Sequence, residues 1–120
     1  MDTLNTLLIL IFCHLVGDYA LQSNFLATAK GENWYHLFVH CALYCLPFFI
    51  VFGITWQLIY IFITHLIIDS MKARYNKISY LTDQICHYIV MMVYLLLVVS
   101  YVCVLLFSVL LYIKKNLEMQ

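Results

Sequence analysis

Charge is scarce in this sequence: of its 120 residues, six are Lys or Arg and six are Asp or Glu. A chain that is 10% charged and 66% hydrophobic, with a mean hydropathy of +0.96, lacks the polar surface a soluble domain of this size needs. It is expected to be an integral membrane protein. The balance of charge is a formal net +0, so there is no basic patch, and nucleic acid is excluded as a partner. No Cys-x-x-Cys spacing occurs. The five cysteines, Cys13, Cys41, Cys45, Cys86 and Cys103, lie inside apolar runs and read as small packing residues rather than a disulfide framework or a ligand set. The N-terminus has no basic stretch before its apolar run and no small-residue cleavage site after it, so the first apolar segment is expected to stay in the protein. A Gly-x-Ser-x-Gly nucleophile motif is also missing.

What is there is apolar sequence in lengths that cross a bilayer, for which about 20 residues suffice. Four spans are predicted, over Leu4 to Leu21, Trp34 to Phe52, Thr55 to Met71 and Leu81 to Ile113. The fold class is therefore all-α, a single bundle of four transmembrane helices. The last segment, at roughly 33 residues and 1.5 Å each, makes a rod of about 50 Å and must tilt or project. Gln22 to Asn33 is a polar connector with room for a short interfacial helix, Gly53 marks a tight turn, and residues 72–77 form a third connector. Lys30, Lys72, Arg74 and Lys77 sit in the first and third connectors, against Lys114 and Lys115 at the far end. By the positive-inside rule those connectors face the cytoplasm.

The ionisable residues of the spans fall into pairs four apart: His14 with Asp18, His36 with His40, His65 with Asp69, and Asp83 with His87. That spacing puts both members on one helix face. Alternate helices run in opposite directions, so all four pairs fall within about 12 Å of the same membrane face. They form one expected layer. Carboxylates at such depth cost about 2.5 to 3.5 kcal/mol each and need compensation. One bland account pairs Asp69 with Lys72 or Arg74 and leaves Asp18 and Asp83 to neighbouring imidazoles or water, a structural polar cluster only. A divalent cation accounts for the composition more fully, since it neutralises carboxylates and accepts imidazole nitrogens together. His14, Asp18, His36, His40, His65, Asp69, Asp83 and His87 are the candidate ligands, suited to zinc, manganese, iron or nickel. They are enough for two ions, or for one ion with outer carboxylates orienting its histidines. Tyr80, His87, Tyr94, Tyr101 and Ser108 recur every seven residues along the last span, a stripe that reads first as packing or interfacial anchoring, with Tyr94 its one candidate for touching a substrate. Gly17 is expected to admit a neighbouring helix closely.

These motifs, His14-Leu-Val-Gly-Asp18 with Gln22, the His36/His40 region with Tyr44 and Pro47, His65-Leu-Ile-Ile-Asp69 and Asp83-Gln84-Ile-Cys-His87, resemble the small bacterial and phage membrane proteins designated domain of unknown function 3307. The resemblance covers about residues 8 to 95 and implies a bacterial inner membrane. More distantly, the layout is similar to predicted inner-membrane metal-dependent hydrolases, which implies hydrolysis by analogy.

The function expected is a metal-dependent hydrolase acting on an amphipathic or lipid-like substrate, with the bilayer as its surroundings, a homo-oligomer as an open state, and Asp18 or Asp83 as general base. Transport of a metal ion or proton through the His/Asp layer is the alternative, although Ile9 to Phe12, Phe48 to Phe52 and Ile59 to Phe62 give no polar route across the other half. Haem leaves the three Asp unexplained, and five histidines are few for a membrane di-iron oxygenase.

Overall fold

Helix starts are set by short polar side chains that take up free backbone N–H groups. Asp2 accepts from the Asn5 amide at 2.7 Å and opens α1, Thr3–Leu15. Ser23 accepts from Leu26 and opens α2, Asn24–Glu32; Asn33 accepts from Tyr35 and opens α3, Trp34–Phe52. Trp56–Ala73 forms α4, flanked by Thr55 without a capping bond, and Ser79 accepts from Thr82 to open α5, Tyr80–Glu118. This computed structural model describes residues 2–119, the side chains of residues 101 and 102 excepted, and no strand occurs among the described residues.

Three helical segments are long and apolar enough to cross a membrane: Thr3–Ala20, Trp34–Phe52 and Tyr80–Glu118. The fourth expected span, α4, is a full 18-residue helix but is not in that class. Gln57, His65, Asp69 and Lys72 lower its hydropathy, and three of them are buried against the neighbouring helices. The connector after α1 carries the expected short helix, α2.

Two departures from regular geometry shape the bundle. First, α1 does not continue as an α-helix: Val16–Ala20 is a π-helical turn, with the Leu21 amide bonding back to the Val16 carbonyl at 3.0 Å. The apolar pattern gives no sign of it, because one widened turn barely disturbs a helical stripe. Gly17 lies in this turn, and a Cβ there would meet the Tyr44 carbonyl oxygen at 2.7 Å, so the expected close approach is that of α3. Secondly, Gly31 at the end of α2 lies against the Ala73 carbonyl, where a Cβ would again come within 2.7 Å. That contact draws α2 onto the end of α4.

The apolar core holds Leu10, Phe48, Ile61, Met91 and Tyr94, all 2% exposed or less. Tyr94 packs against the rings of Phe48 and Phe52. It is thus a core residue, which agrees with packing as the first reading of the stripe and not with a substrate contact. The stripe as a whole is no interior seam: Tyr80 is exposed, Ser108 bonds its own helix at Val104 on an exposed stretch, and the Tyr101 side chain lies outside the described residues. At 39 residues α5 is about 58 Å long. Its second half projects past the bundle, giving extents of 66 × 25 × 22 Å, and residues 103–115 are exposed throughout.

Candidate metal centre

Five elements bring their polar residues to one layer. His14 comes from the last turn of α1 and Asp18 from the π turn, His40 from α3, His65 and Asp69 from α4, and Asp83 and His87 from the first turns of α5. All seven are buried, His14, His40 and Asp83 completely. The eighth candidate, His36, is not among them. It is half-buried one turn nearer the start of α3 and packs edge-on against Phe25 of α2, ring centroids 5.2 Å apart.

The layer has an organised outer part. Gln84 donates from Nε2 to Asp18 Oδ2 at 3.3 Å and to Asp83 Oδ2 at 3.0 Å, which leaves Oε1 to accept from His14 Nε2 at 3.2 Å. With that nitrogen protonated, His14 Nδ1 accepts from the Tyr44 hydroxyl at 2.8 Å. Both nitrogens of His14 are therefore engaged, and it holds Gln84 in place instead of offering a ligand atom. Tyr44 in turn stacks on His65, centroids 3.6 Å apart and planes 6° from parallel, which fixes that imidazole.

Inside this frame the donors crowd together. His40 Nε2 lies 3.0 Å from His65 Nε2, 3.6 Å from Asp18 Oδ1 and 3.4 Å from Asp69 Oδ2. Donors about 2.0–2.2 Å from a shared zinc ion stand roughly 3.0–3.6 Å from one another, so the spacing fits a metal polyhedron. Asp18, His40 and His65 can each turn one ligand atom into a common space, and so can Asp18, Asp83 and His87. Asp18 belongs to both triads. Asp83 Oδ1 and His87 Nε2, both buried, face each other at 3.4 Å and have no other hydrogen-bond partner among the described residues. Such orphans are costly unless something else completes them.

Two lysines enter the layer. Lys30, at the end of α2 and 4% exposed, lies 2.9 Å from Asp69 Oδ2 and donates to Gln22 Oε1 at 2.6 Å. Lys72 donates to Asp83 Oδ2 at 3.1 Å. The pairing of Asp69 with Lys72 or Arg74 is therefore corrected: Asp69 takes Lys30, Lys72 takes Asp83, and Arg74 lies over the Trp34 ring, 4.2 Å from its centroid. A lysine four residues before the next helix start reads as solvated, so Lys30 gave no signal of its own. The i, i+8 spacing from Gln22 to Lys30 crosses a chain reversal that periodicity does not reveal. Gln84 and Tyr44 stood in the motifs without a role.

Three carboxylates against two ammonium groups leave the layer with one negative charge when the imidazoles are neutral. A divalent cation with one accompanying anion restores neutrality. The residues present therefore fit a metal by donor type, by spacing and by charge.

No curated protein and no solved structure is significantly similar to the chain. A family model does match, over residues 6–115, and takes in every element that contributes to the layer. The chain belongs to that family, described as Protein of unknown function (DUF3307).

Proposed function

We propose that the protein is a bundle of four membrane crossings that holds a divalent metal at Asp18, His40 and His65 and hydrolyses an amphipathic, lipid-like substrate. The observation that carries the reading is Asp18: a buried carboxylate with no lysine partner, facing two imidazole nitrogens that have each other as nearest polar neighbours. Two imidazoles and a carboxylate are a set that catalytic zinc uses, and manganese or iron accept it as well. When bound, the ion would polarise an acyl or phosphoryl oxygen and acidify a water. The chain's own groups do the rest. Asp83, next to His87 at 3.4 Å, is the carboxylate placed to take a proton, and Lys30 holds Asp69 beside His40 Nε2.

The fourth crossing is α4, which packs between α3 and α5 with its polar residues turned inward. Lys30, Lys72, Arg74 and Lys77 lie at the connector end, which supports a cytoplasmic position for that end, and a bacterial inner membrane is what the resemblance to the family implies. A groove of about 460 Å³ between α1 and α3, lined by Ile9, Phe12, Cys13, Val16, Leu46 and Pro47, is wholly apolar and suits an acyl chain. Cys13 and Val16 flank His14 and Gly17, which brings such a chain close to the layer.

Ion or proton transport is the second reading, because one proton on an imidazole also neutralises the layer. Against it stand Leu10, Phe48, Ile61 and Met91, each one helical turn beyond His14, Tyr44, His65 and His87. They close the bundle on the other side. Detergent-purified protein loaded with zinc or manganese is expected to release phosphate or fatty acid from lipid substrates, and His65→Ala to lose that activity while keeping wild-type helicity. Metal flux in proteoliposomes without any hydrolysis would favour transport instead.

A further inference from the structure

With one cation assigned to Asp18, His40 and His65, a second group of donors still converges beside it, and its His87 has no part in that assignment. Asp18, Asp83 and His87 each bring a ligand atom to within 4.8 Å of the others, all buried. His87 is 1% exposed and Asp83 is fully buried, and the atoms they turn towards each other, Nε2 and Oδ1, lie 3.4 Å apart and have no hydrogen-bond partner elsewhere among the described residues. Asp18 divides its oxygens: Oδ1 is the one towards His40, while Oδ2 lies beside Asp83, both accepting from the same Gln84 amide. That amide holds Asp83 by Oδ2 and leaves Oδ1 open.

The group in competition is Lys72. Unlike Lys30, whose side chain is 6% exposed, the Lys72 side chain is 29% exposed. It also has somewhere else to go: its ammonium already lies 5.1 Å from the centroid of the exposed Tyr80 ring. A cation over an aromatic face keeps part of its stabilisation when its ion pair opens.

We infer that Asp18, Asp83 and His87 form a second, weaker divalent-cation site that fills in exchange for the Lys72 ammonium, with Asp18 shared between the two ions. The inference rests on the metal reading proposed above. Exchange of a lysine for a divalent ion adds one positive charge to the layer, where plain addition would add two. That surplus is matched by an anionic ligand, so the substrate class that fits a doubly filled centre is a phosphate ester and not a neutral one. Paired metals of this kind clamp phosphoryl oxygens.

Manganese titration of the metal-free protein in detergent, with bound metal counted by equilibrium dialysis and elemental analysis, tests this. The wild type is expected to take one tight equivalent and a second at higher concentration, and His87→Ala only the first. Lys72→Gln is the decisive variant, since removing the competing ammonium should lower the midpoint of the second equivalent by about tenfold or more. A gain of binding cannot come from misfolding. A second equivalent unmoved in Lys72→Gln, or a single equivalent in all three proteins, overturns the exchange site while leaving the first metal in place. No metal in any of the three removes the underlying reading as well.

Discussion

Lys30→Ala is expected to lose about 3–5 kcal/mol of stability, the range for breaking a buried ion pair from one side. Its partner Asp69 is 1% exposed and cannot turn to water, and His40 Nε2 at 3.5 Å from the ammonium gives no substitute charge unless it takes a proton. The lysine also ties α2 to α4, together with the Gly31 contact, so its removal loosens a helix as well as a charge. Removing the carboxylate too should recover much of the loss: Lys30→Ala/Asp69→Asn is expected to unfold at a higher denaturant concentration than Lys30→Ala alone. Unfolding in detergent, followed by circular dichroism, measures both. A Lys30→Ala midpoint equal to the wild type would mean that the pair is not closed off from water.

Asp18→Asn carries the largest expected effect on metal binding. The amide keeps the size of the side chain and its place beside Gln84, but both triads lose their common carboxylate. Loss of an outer partner typically weakens metal affinity 10–100-fold, and loss of a shared ligand should exceed about a hundredfold. His14→Ala belongs to the milder class, because His14 acts through Gln84. His36→Ala should leave affinity unchanged, since the ring packs on Phe25 outside the layer. Competition with a chromophoric chelator ranks the three. Equal losses in Asp18→Asn and His36→Ala would contradict the geometry.

The contrast between His36 and Lys30 marks where sequence reasoning reached and where it stopped. Pairs four apart at the ends of antiparallel helices had to meet at one depth, and seven of the eight candidates do. The layer has two levels, however. His14, His40, His65 and His87 occupy the deeper one, and Asp18, Asp69 and Asp83 the level one turn nearer the connectors. On α3 that shallower place belongs by spacing to His36, but α2 folds back from the connector and Lys30 fills it. Which residue of a connector returns to the core depends on the path of α2 over α4, set by a Gly31 contact that no periodicity records. The same limit applies to Tyr44 and Tyr94. Both lie on stripes of helical period, and only the packing of Gly17 against Tyr44 tells which tyrosine faces the layer and which the core.

Charge shows the same division. Counting Asp and Lys in the sequence indicates that buried carboxylates need partners, and proximity along the chain favours Lys72 for Asp69. The three-residue step from Asp69 to Lys72 lies on one helix, yet Lys72 reaches across to Asp83 on α5, because Asp69 turns inward to Lys30. Asp18 is left without a cation.

That unpaired carboxylate is the centre of the account, and elemental analysis of wild-type protein, purified in detergent and dialysed against a weak chelator, tests it most directly. Close to one equivalent of zinc, manganese or iron per chain is the predicted result, absent from Asp18→Asn prepared in parallel. A wild type that retains no metal under these conditions, with its fold intact, would contradict the metal centre and assign the missing positive charge to a proton on the histidines.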